Sequence, residues 1–275
     1  MTQTKASPFV KWAGGKRQLL ASIRRRLPAQ MNTYYEPFVG GGAVFFALAN
    51  RGAFKRAVLN DMNSELADTY RALATGKAQG VIDILKTYPY DRDFFNEMRT
   101  RLPADLPLEE RAARFIYLNK AGFNGLYRVN KSGGFNVPFG KYTNPTICDS
   151  EGILEAAKVL QGVTIECQDF ALSVAGAQPG DVVYFDPPYL PKSDTANFVS
   201  YTEDGFGIED HQRLAQLYKD LAARGVSVLL SNADVSTTRK LFQGCRIARI
   251  EAKRSINSDG DKRGMVGEVL IGANL

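Results

Sequence analysis

Val182-Val183-Tyr184-Phe185-Asp186-Pro187-Pro188-Tyr189 is the stretch on which the fold turns. Four apolar residues in a row, two of them β-branched, suit a central strand of a parallel sheet that is covered on both faces. Ligands of open α/β sheets sit beyond the carboxyl ends of such strands, and Asp186 falls at that end. Pro187 and Pro188 fix their own φ, lack an N–H, and push the residue before each of them toward an extended backbone. The Asp186 carboxylate and the Pro187 carbonyl are therefore expected as rigid, neighbouring acceptors, with the ring of Tyr189 beside them.

Two fixed acceptors next to an aromatic face suit an exocyclic amino group on a planar base. Both N–H bonds can be held, the ring can stack, and the nitrogen lone pair is left facing an electrophile. The bland alternative is a strand that ends in a proline turn, with Tyr189 as rim packing. A short motif does not choose between the two.

The composition narrows the classes. A chain of 275 residues exceeds a typical single domain but fits one large α/β unit, and 44% hydrophobic residues allow an ample core. No stretch reaches the roughly 18 apolar residues of a membrane span, and none heads the chain as a signal segment. Cys148, Cys167 and Cys245 are odd in number and lack C-x-x-C spacing, which disfavours a disulfide framework or a zinc site and points to a reducing cytoplasm. The single histidine, His211, follows Glu209 and Asp210 at an expected helix start and reads as a surface residue.

The net charge of +6 is modest, but its distribution is not even. Residues 1–35 hold Lys5, Lys11, Lys16, Arg17 and Arg24–Arg26 without one acid. Residues 111–148 again lack acids and carry Arg111, Arg114, Lys120, Arg128, Lys131 and Lys141. Two acid-free basic windows are the footprint of a polyanion binder, against the plainer reading of two solvated faces.

Phe9-Val10-Lys11-Trp12-Ala13-Gly14-Gly15-Lys16 resembles a phosphate loop only at Gly15-Lys16. The earlier glycine is Val10 and the following Ser/Thr is Arg17, so that reading fails. A Gly-Gly turn before a helix over 17–26 can still offer backbone N–H groups to a ligand carboxylate. Trp12 sits on this turn, with core packing as its alternative. Tyr34-Tyr35-Glu36-Pro37-Phe38-Val39-Gly40-Gly41-Gly42, then a helical run over 43–50, makes the opening βα unit of a nucleotide-binding sheet. Phe45 stands where a dinucleotide fingerprint needs its third glycine, which weakens a dinucleotide reading and leaves a mononucleoside ligand open.

About twenty residues on, the strand Ala57-Val58-Leu59 ends at Asn60-Asp61. Asp61 is spaced to bind ribose hydroxyls, or else caps the helix expected over 64–75. A further strand over 163–167 ends at Asp169-Phe170, an acid and an aromatic able to hold and stack an adenine. Residues 76–145 interrupt this pattern. Two helices are expected there, over 91–102 and 108–120, followed by two short strands around Lys131-Ser132-Gly133-Gly134. A two-stranded ribbon fits the major groove, where arginine takes guanine O6 and N7 together.

F-V-K-W-A-G-G-K, E-P-F-V-G-G-G, N-D, D-F and D-P-P-Y, in this order over nearly the whole chain, resemble the Dam-type DNA adenine-N6 methyltransferases of the α class. The resemblance implies an α/β, Rossmann-like methyltransferase sheet built from residues 1–75 and 146–275, with a helical and β-hairpin target recognition domain inserted over 76–145. It implies S-adenosyl-L-methionine as methyl donor, with contacts on Trp12, Ala13, Gly14, Lys16, Glu36, Phe38 and Gly40, and further on at Asp61, Asp169, Phe170 and Asp186. Asp186, Pro187 and Tyr189 become the catalytic residues. N-G-L-x-R and F-N-V-P-F-G within the insert also resemble the family. By that likeness Arg128 reads a guanine, Pro138 packs on a thymine methyl, and Phe123 and Asn124 fill the gap left by a flipped adenine. Lys11 touches a base at the other end of the site, and Leu126, Asn130 and Lys141 complete the contacts. Lys141 stands where the family carries arginine.

The C-terminal part returns to the sheet. A loop over 197–206, a helix over 208–224, a strand over 226–230 ending at Ser231-Asn232, and a hairpin of 245–251 with 268–271 are expected, with a polar loop over 255–264 beside the target base or a phosphate. The expected activity is methylation of adenine N6 in double-stranded DNA, within G-A-T-C, by a monomer that needs no metal and works in the cytoplasm on the nucleoid. A cognate restriction endonuclease as functional counterpart and solitary action both stay open. N4-cytosine methylation, RNA adenine methylation and a non-catalytic DNA-binding protein on the same scaffold are the alternatives.

Overall fold

A computed structural model describes residues 4–130, 133–190, 205–253 and 265–275. The expected loops over 197–206 and 255–264 lie outside these residues, apart from 205 and 206, as do Lys131 and Ser132. Seven strands occur among the described residues: β1 (Met31–Glu36), β2 (Phe54–Asn60), β3 (Thr164–Glu166), β4 (Val182–Phe185), β5 (Ser227–Ala233), β6 (Arg246–Lys253) and β7 (Met265–Ala273). The chain divides into two compact units. One comprises Met1–Lys16, Val39–Gly52 and Asn60–Gln168; the other comprises Arg17–Phe38, Ala53–Leu59 and Asp169–Leu275.

The second unit holds the sheet, in the order β2-β1-β4-β5-β7-β6. β2, β1, β4 and β5 run parallel, whereas β7 pairs antiparallel with both β5 and β6. The unbroken apolar run of β4 has the cause inferred from sequence. It pairs on one side with β1 and on the other with β5, and all four of its side chains are buried. Its core gathers Val183 and Phe185 with Val228, Leu230, Val269 and Ile271 of neighbouring strands, and Leu214, Tyr218 and Leu221 of the helix Ile208–Ala223. The register pairs Tyr35 with Val183 and Phe185 with Leu230. Glu36, Asp186 and Ser231 are therefore carried at the carboxyl ends of three adjacent strands.

The first unit is helical. Ser64–Ala74 begins at Asn63, whose side chain accepts from Leu66 N at 3.1 Å, so Asn63 and not Asp61 is the cap. Arg92–Thr100 is capped by Asp91 and buries Phe95 and Met98 on one face, as its periodicity requires. Helix Leu108–Ala121 packs on Ser64–Ala74 and on Ala78–Thr87. Fully buried Arg114 donates to Glu65, to Met98 O at 2.9 Å and to Arg99 O at 3.4 Å. Arg111 pairs with Asp68 one turn away, so the two helices run antiparallel.

Several expectations change in three dimensions. The helix expected over 17–26 shrinks to Leu20–Arg24. No side chain caps its start, and acids are absent from its first turn. Ala78–Thr87, Ser150–Leu160 and Ser236–Leu241 are helices not anticipated. The expected hairpin of the insert is reduced to two isolated antiparallel bridges, Gly122 with Phe139 and Val129 with Phe135. Its turn is closed by Asn130, which accepts Gly133 N on its carbonyl and Gly134 N on its side chain, each at 2.9 Å.

Candidate active site

Asp186 leaves β4 half-buried, where a carboxylate needs partners. Ser231 Oγ, on β5, donates to Asp186 Oδ1 at 2.7 Å and lies 3.0 Å from the Tyr184 hydroxyl. The Tyr189 hydroxyl donates to Glu268 Oε2 of β7 at 2.8 Å, which holds the ring at its far end. Burial raises the Tyr189 phenol well above its usual range, as do the charges of Asp186 and Glu268, so it stays protonated and keeps this bond. The acid and the tyrosine are thus held from strands β5 and β7.

His211 corrects the surface reading. Its imidazole is buried, meets the Phe206 ring edge-on at 4.9 Å, and hydrogen-bonds the Pro188 carbonyl. Nε2 has no hydrogen-bond partner. Burial pushes the pKa down to about 4, against the Asp210 carboxylate and the Pro188 carbonyl. An unfolded histidine titrates near 6.5, so between those values the unfolded chain binds more protons and stability falls as pH falls. From pH 7 to pH 5 this one group should withdraw about 2 kcal/mol. Urea unfolding at the two pH values checks it: His211→Gln should lose that much less than the wild type, and equal losses would refute the assignment.

Other residues expected to hold a ligand in this unit are also engaged. Glu36 is buried at the end of β1 and accepts from the Tyr34 hydroxyl at 2.9 Å. Phe38 packs on Phe170 at 5.4 Å and on Phe206 at 5.5 Å. Asp169 caps the short helix Phe170–Ser173 and pairs with Arg213 at 2.9 Å, while the Arg213 guanidinium lies 5.0 Å from the centre of the Phe170 ring. Arg213 thus binds both members of the acid-and-aromatic pair.

In the first unit, Gly40 has φ +47 and lies against the Trp12 indole. A Cβ there would stand 2.6 Å from Trp12 Cδ1, so only glycine fits. Gly40 N donates to Asp61 Oδ2 at 3.0 Å and Asn63 N donates to Oδ1 at 3.0 Å. Burial pushes the Asp61 carboxyl up while these two N–H groups pull it down. Each oxygen keeps acceptor capacity beyond its one backbone donor, which suits a pair of ribose hydroxyls. Trp12 also stacks on Tyr127 at 5.9 Å, so it packs in the core of this unit as well as lying against the Gly40 turn. At the Ala13-Gly14 turn the backbone is open, with nothing within 4 Å of where a Gly14 Cβ would be, and Lys16 Nζ donates to Gly14 O at 2.7 Å. Within this unit, a carboxylate suited to hydroxyls and an open glycine turn suited to a carboxylate fit the polar groups of an amino-acid nucleoside.

The insert residues also cluster in the first unit. Asn119, buried in helix Leu108–Ala121, accepts from Lys11 N at 2.8 Å. It donates to Lys11 O at 2.7 Å and to Gly125 O at 2.9 Å. One amide therefore ties Lys11 to the Phe123-Asn124-Gly125 turn. Asn124 has φ 54, which asparagine tolerates better than most residues. Phe123, Leu126 and Val129 are exposed apolar side chains on this segment. Arg128 is exposed, and its fork is oriented by Asn136, Nε to Oδ1 at 2.6 Å and Nη2 to the carbonyl at 3.3 Å. Pro138 and Lys141 line a recess of about 380 Å³ with Phe139, Arg92, Asn96 and Arg99. The spacing of Arg92, Asn96 and Arg99 was the available signal for that helix face. Ser231, Asn119 and Asn136 carried none beyond being polar beside apolar runs.

A family model described as D12 class N6 adenine-specific DNA methyltransferase matches residues 12–256. The chain is 41% identical over 273 residues to Type II methyltransferase M1.LlaDCHI of Lactococcus lactis subsp. cremoris, covering 96% of this chain and 94% of that one. It is 39% identical over 280 residues to Type II methyltransferase M.MjaIII of Methanocaldococcus jannaschii, with 94% and 96% covered. DNA adenine methylase of Escherichia coli strain K12 is 36% identical over 269 residues, with 97% and 95% covered.

Proposed function

Because the chain belongs to the family of D12 class N6 adenine-specific DNA methyltransferases, we propose that it methylates N6 of an adenine turned out of duplex DNA, within G-A-T-C, using S-adenosyl-L-methionine. The observation that carries this reading is the Asp186 carboxylate at the end of β4, held by Ser231 and followed by the rigid Pro187 carbonyl. Bound to the enzyme, S-adenosyl-L-methionine supplies an electrophilic methyl group. Asp61 accepts from its ribose hydroxyls, Glu36 faces its ammonium, and the Trp12-Ala13-Gly14 turn with Lys16 takes its carboxylate. Phe38, Gly40, Asp169 and Phe170 hold the nucleoside end.

Asp186 and the Pro187 carbonyl accept the two amino hydrogens of the adenine, so its nitrogen lone pair is directed outward. Tyr189 stacks on the ring, and its bond to Glu268 fixes the stacking plane. As positive charge develops on N6, the Asp186 carboxylate stabilises it and takes the departing proton. Preorganised acceptors of this kind need no reorganisation during the reaction, which is where most of the acceleration arises. An adenine in a duplex must leave the stack to reach such a site, and Phe123 with Asn124 fills the space it vacates.

Recognition is assigned to residues 76–145 together with Lys11. Arg128 reads guanine, Pro138 meets the thymine methyl, and Leu126 and Asn130 flank them. Arg92, Arg99 and Lys141 present three cations around one recess, a setting for backbone phosphates. Transfer of labelled methyl to short duplexes tests the whole reading. Label on adenine N6 only in intact G-A-T-C supports it. Label on every duplex would remove the sequence assignment, and label on cytosine or on RNA alone would replace the substrate. Arg128→Ala should cost about 1–3 kcal/mol of discrimination at its guanine while leaving non-specific affinity nearly unchanged. Rates on single-base site variants measure this, and an unaltered ranking would count against Arg128 as the reader.

A further inference from the structure

We infer that Ser231 and Tyr184 form a hydroxyl relay that positions the Asp186 carboxylate for catalysis, an inference that rests on the reading of Asp186 given above. Ser231 sits on β5 and Tyr184 on β4, both fully buried, and the register sets Phe185 beside Leu230. Ser231 Oγ is 2.7 Å from Asp186 Oδ1, 3.0 Å from the Tyr184 hydroxyl and 3.4 Å from the Phe185 carbonyl. Serine has one proton, and the shortest contact takes it to the carboxylate. The tyrosine is then the donor to Ser231 Oγ, because that oxygen has only lone pairs left to offer. Two O–H dipoles in series point at one oxygen of Asp186, and such chains strengthen each bond in them.

The relay restricts the rotation of the carboxylate about its side chain. An ionised acceptor that must meet an amino group in one plane gains rate from being held before the base arrives. Further along the motif, His211 holds Pro188 and Glu268 holds Tyr189. Ser231 is thus a positioning residue that acts through Asp186.

The test is single-turnover methyl transfer by the full chain with saturating S-adenosyl-L-methionine and duplex. Ser231→Ala should slow transfer about 10- to 100-fold, the value of a hydrogen bond to a charged group, with duplex affinity and donor affinity within about twofold of wild type. Tyr184→Phe should slow it about 2- to 10-fold on its own and add nothing to Ser231→Ala, since the two hydroxyls act as one unit. A wild-type rate for Ser231→Ala beside an inactive Asp186→Ala would overturn the relay and leave the reading of Asp186 intact. An active Asp186→Ala would instead overturn that reading. Additive losses, or slowing that follows lost duplex binding, would reduce both hydroxyls to core packing. Should Ser231→Ala fail to fold, Tyr184→Phe decides alone, and an unchanged rate there overturns the proposal.

Discussion

Asp186→Ala should lower methyl transfer by about 10³-fold or more while the duplex still binds. The carboxylate is the one anionic acceptor of the D-P-P-Y motif, and on the proposed reading alanine would remove both its hydrogen bond to the amino group and its charge beside the developing cation on N6. The buried hydroxyl of Ser231 would also lose the acceptor at 2.7 Å, so the site loosens where it most needs order. Asp186→Asn keeps one acceptor oxygen without the charge, and its rate should fall between the two. Single-turnover transfer and duplex titration, measured together, separate chemistry from binding. An Asp186→Ala protein that methylates at a tenth of the wild-type rate would exclude this carboxylate from the chemical step.

The largest stability loss is expected from Glu65→Ala, at about 3–5 kcal/mol. Arg114 is among the largest fully buried side chains, and Glu65 is its counter-ion. Deleting the acid leaves a guanidinium in the core with two carbonyls, Met98 O and Arg99 O, and no charge to balance it. The Tyr127 hydroxyl, which donates to Glu65 Oε1 at 3.0 Å, would lose its acceptor too. Glu65→Gln retains an acceptor and should cost less. Urea unfolding reports both, and a loss below about 1 kcal/mol for Glu65→Ala would show that water reaches Arg114. Because Tyr127 precedes Arg128 and stacks on Trp12, the variant should also loosen the segment that carries Arg128.

Much of the fold was legible because it is written locally. The β4 run needed only four apolar residues and the prolines after Asp186, and the strand ends within the motif as expected. The turn Gly40–Gly42 and the helix Ala43–Ala49 followed from glycines before an apolar run. The insert was harder. Its two strands were anticipated from glycine punctuation, yet only two bridges form, since Tyr142 and Tyr90 take hydrogen-bonding positions around Gly140 and Gly122. His211 misled in the same way. A lone histidine after two acids reads as solvated, and only the packing of Phe206 and the Pro188 carbonyl around it makes it a buried neutral imidazole.

By itself the sequence determined the family, the residues of the acceptor motif and the charge of the two basic windows, because each depends on residue types in a short or ordered span. The tertiary structure decided which groups hold those residues. Ser231 reaches Asp186 across 45 positions and Asn119 reaches Lys11 across 108. Strand register and helix packing bring such pairs to hydrogen-bond distance, and neither leaves a periodic trace in the chain. The buried pair of Arg114 and Glu65 belongs with them, since a charge is buried only where another segment supplies its partner.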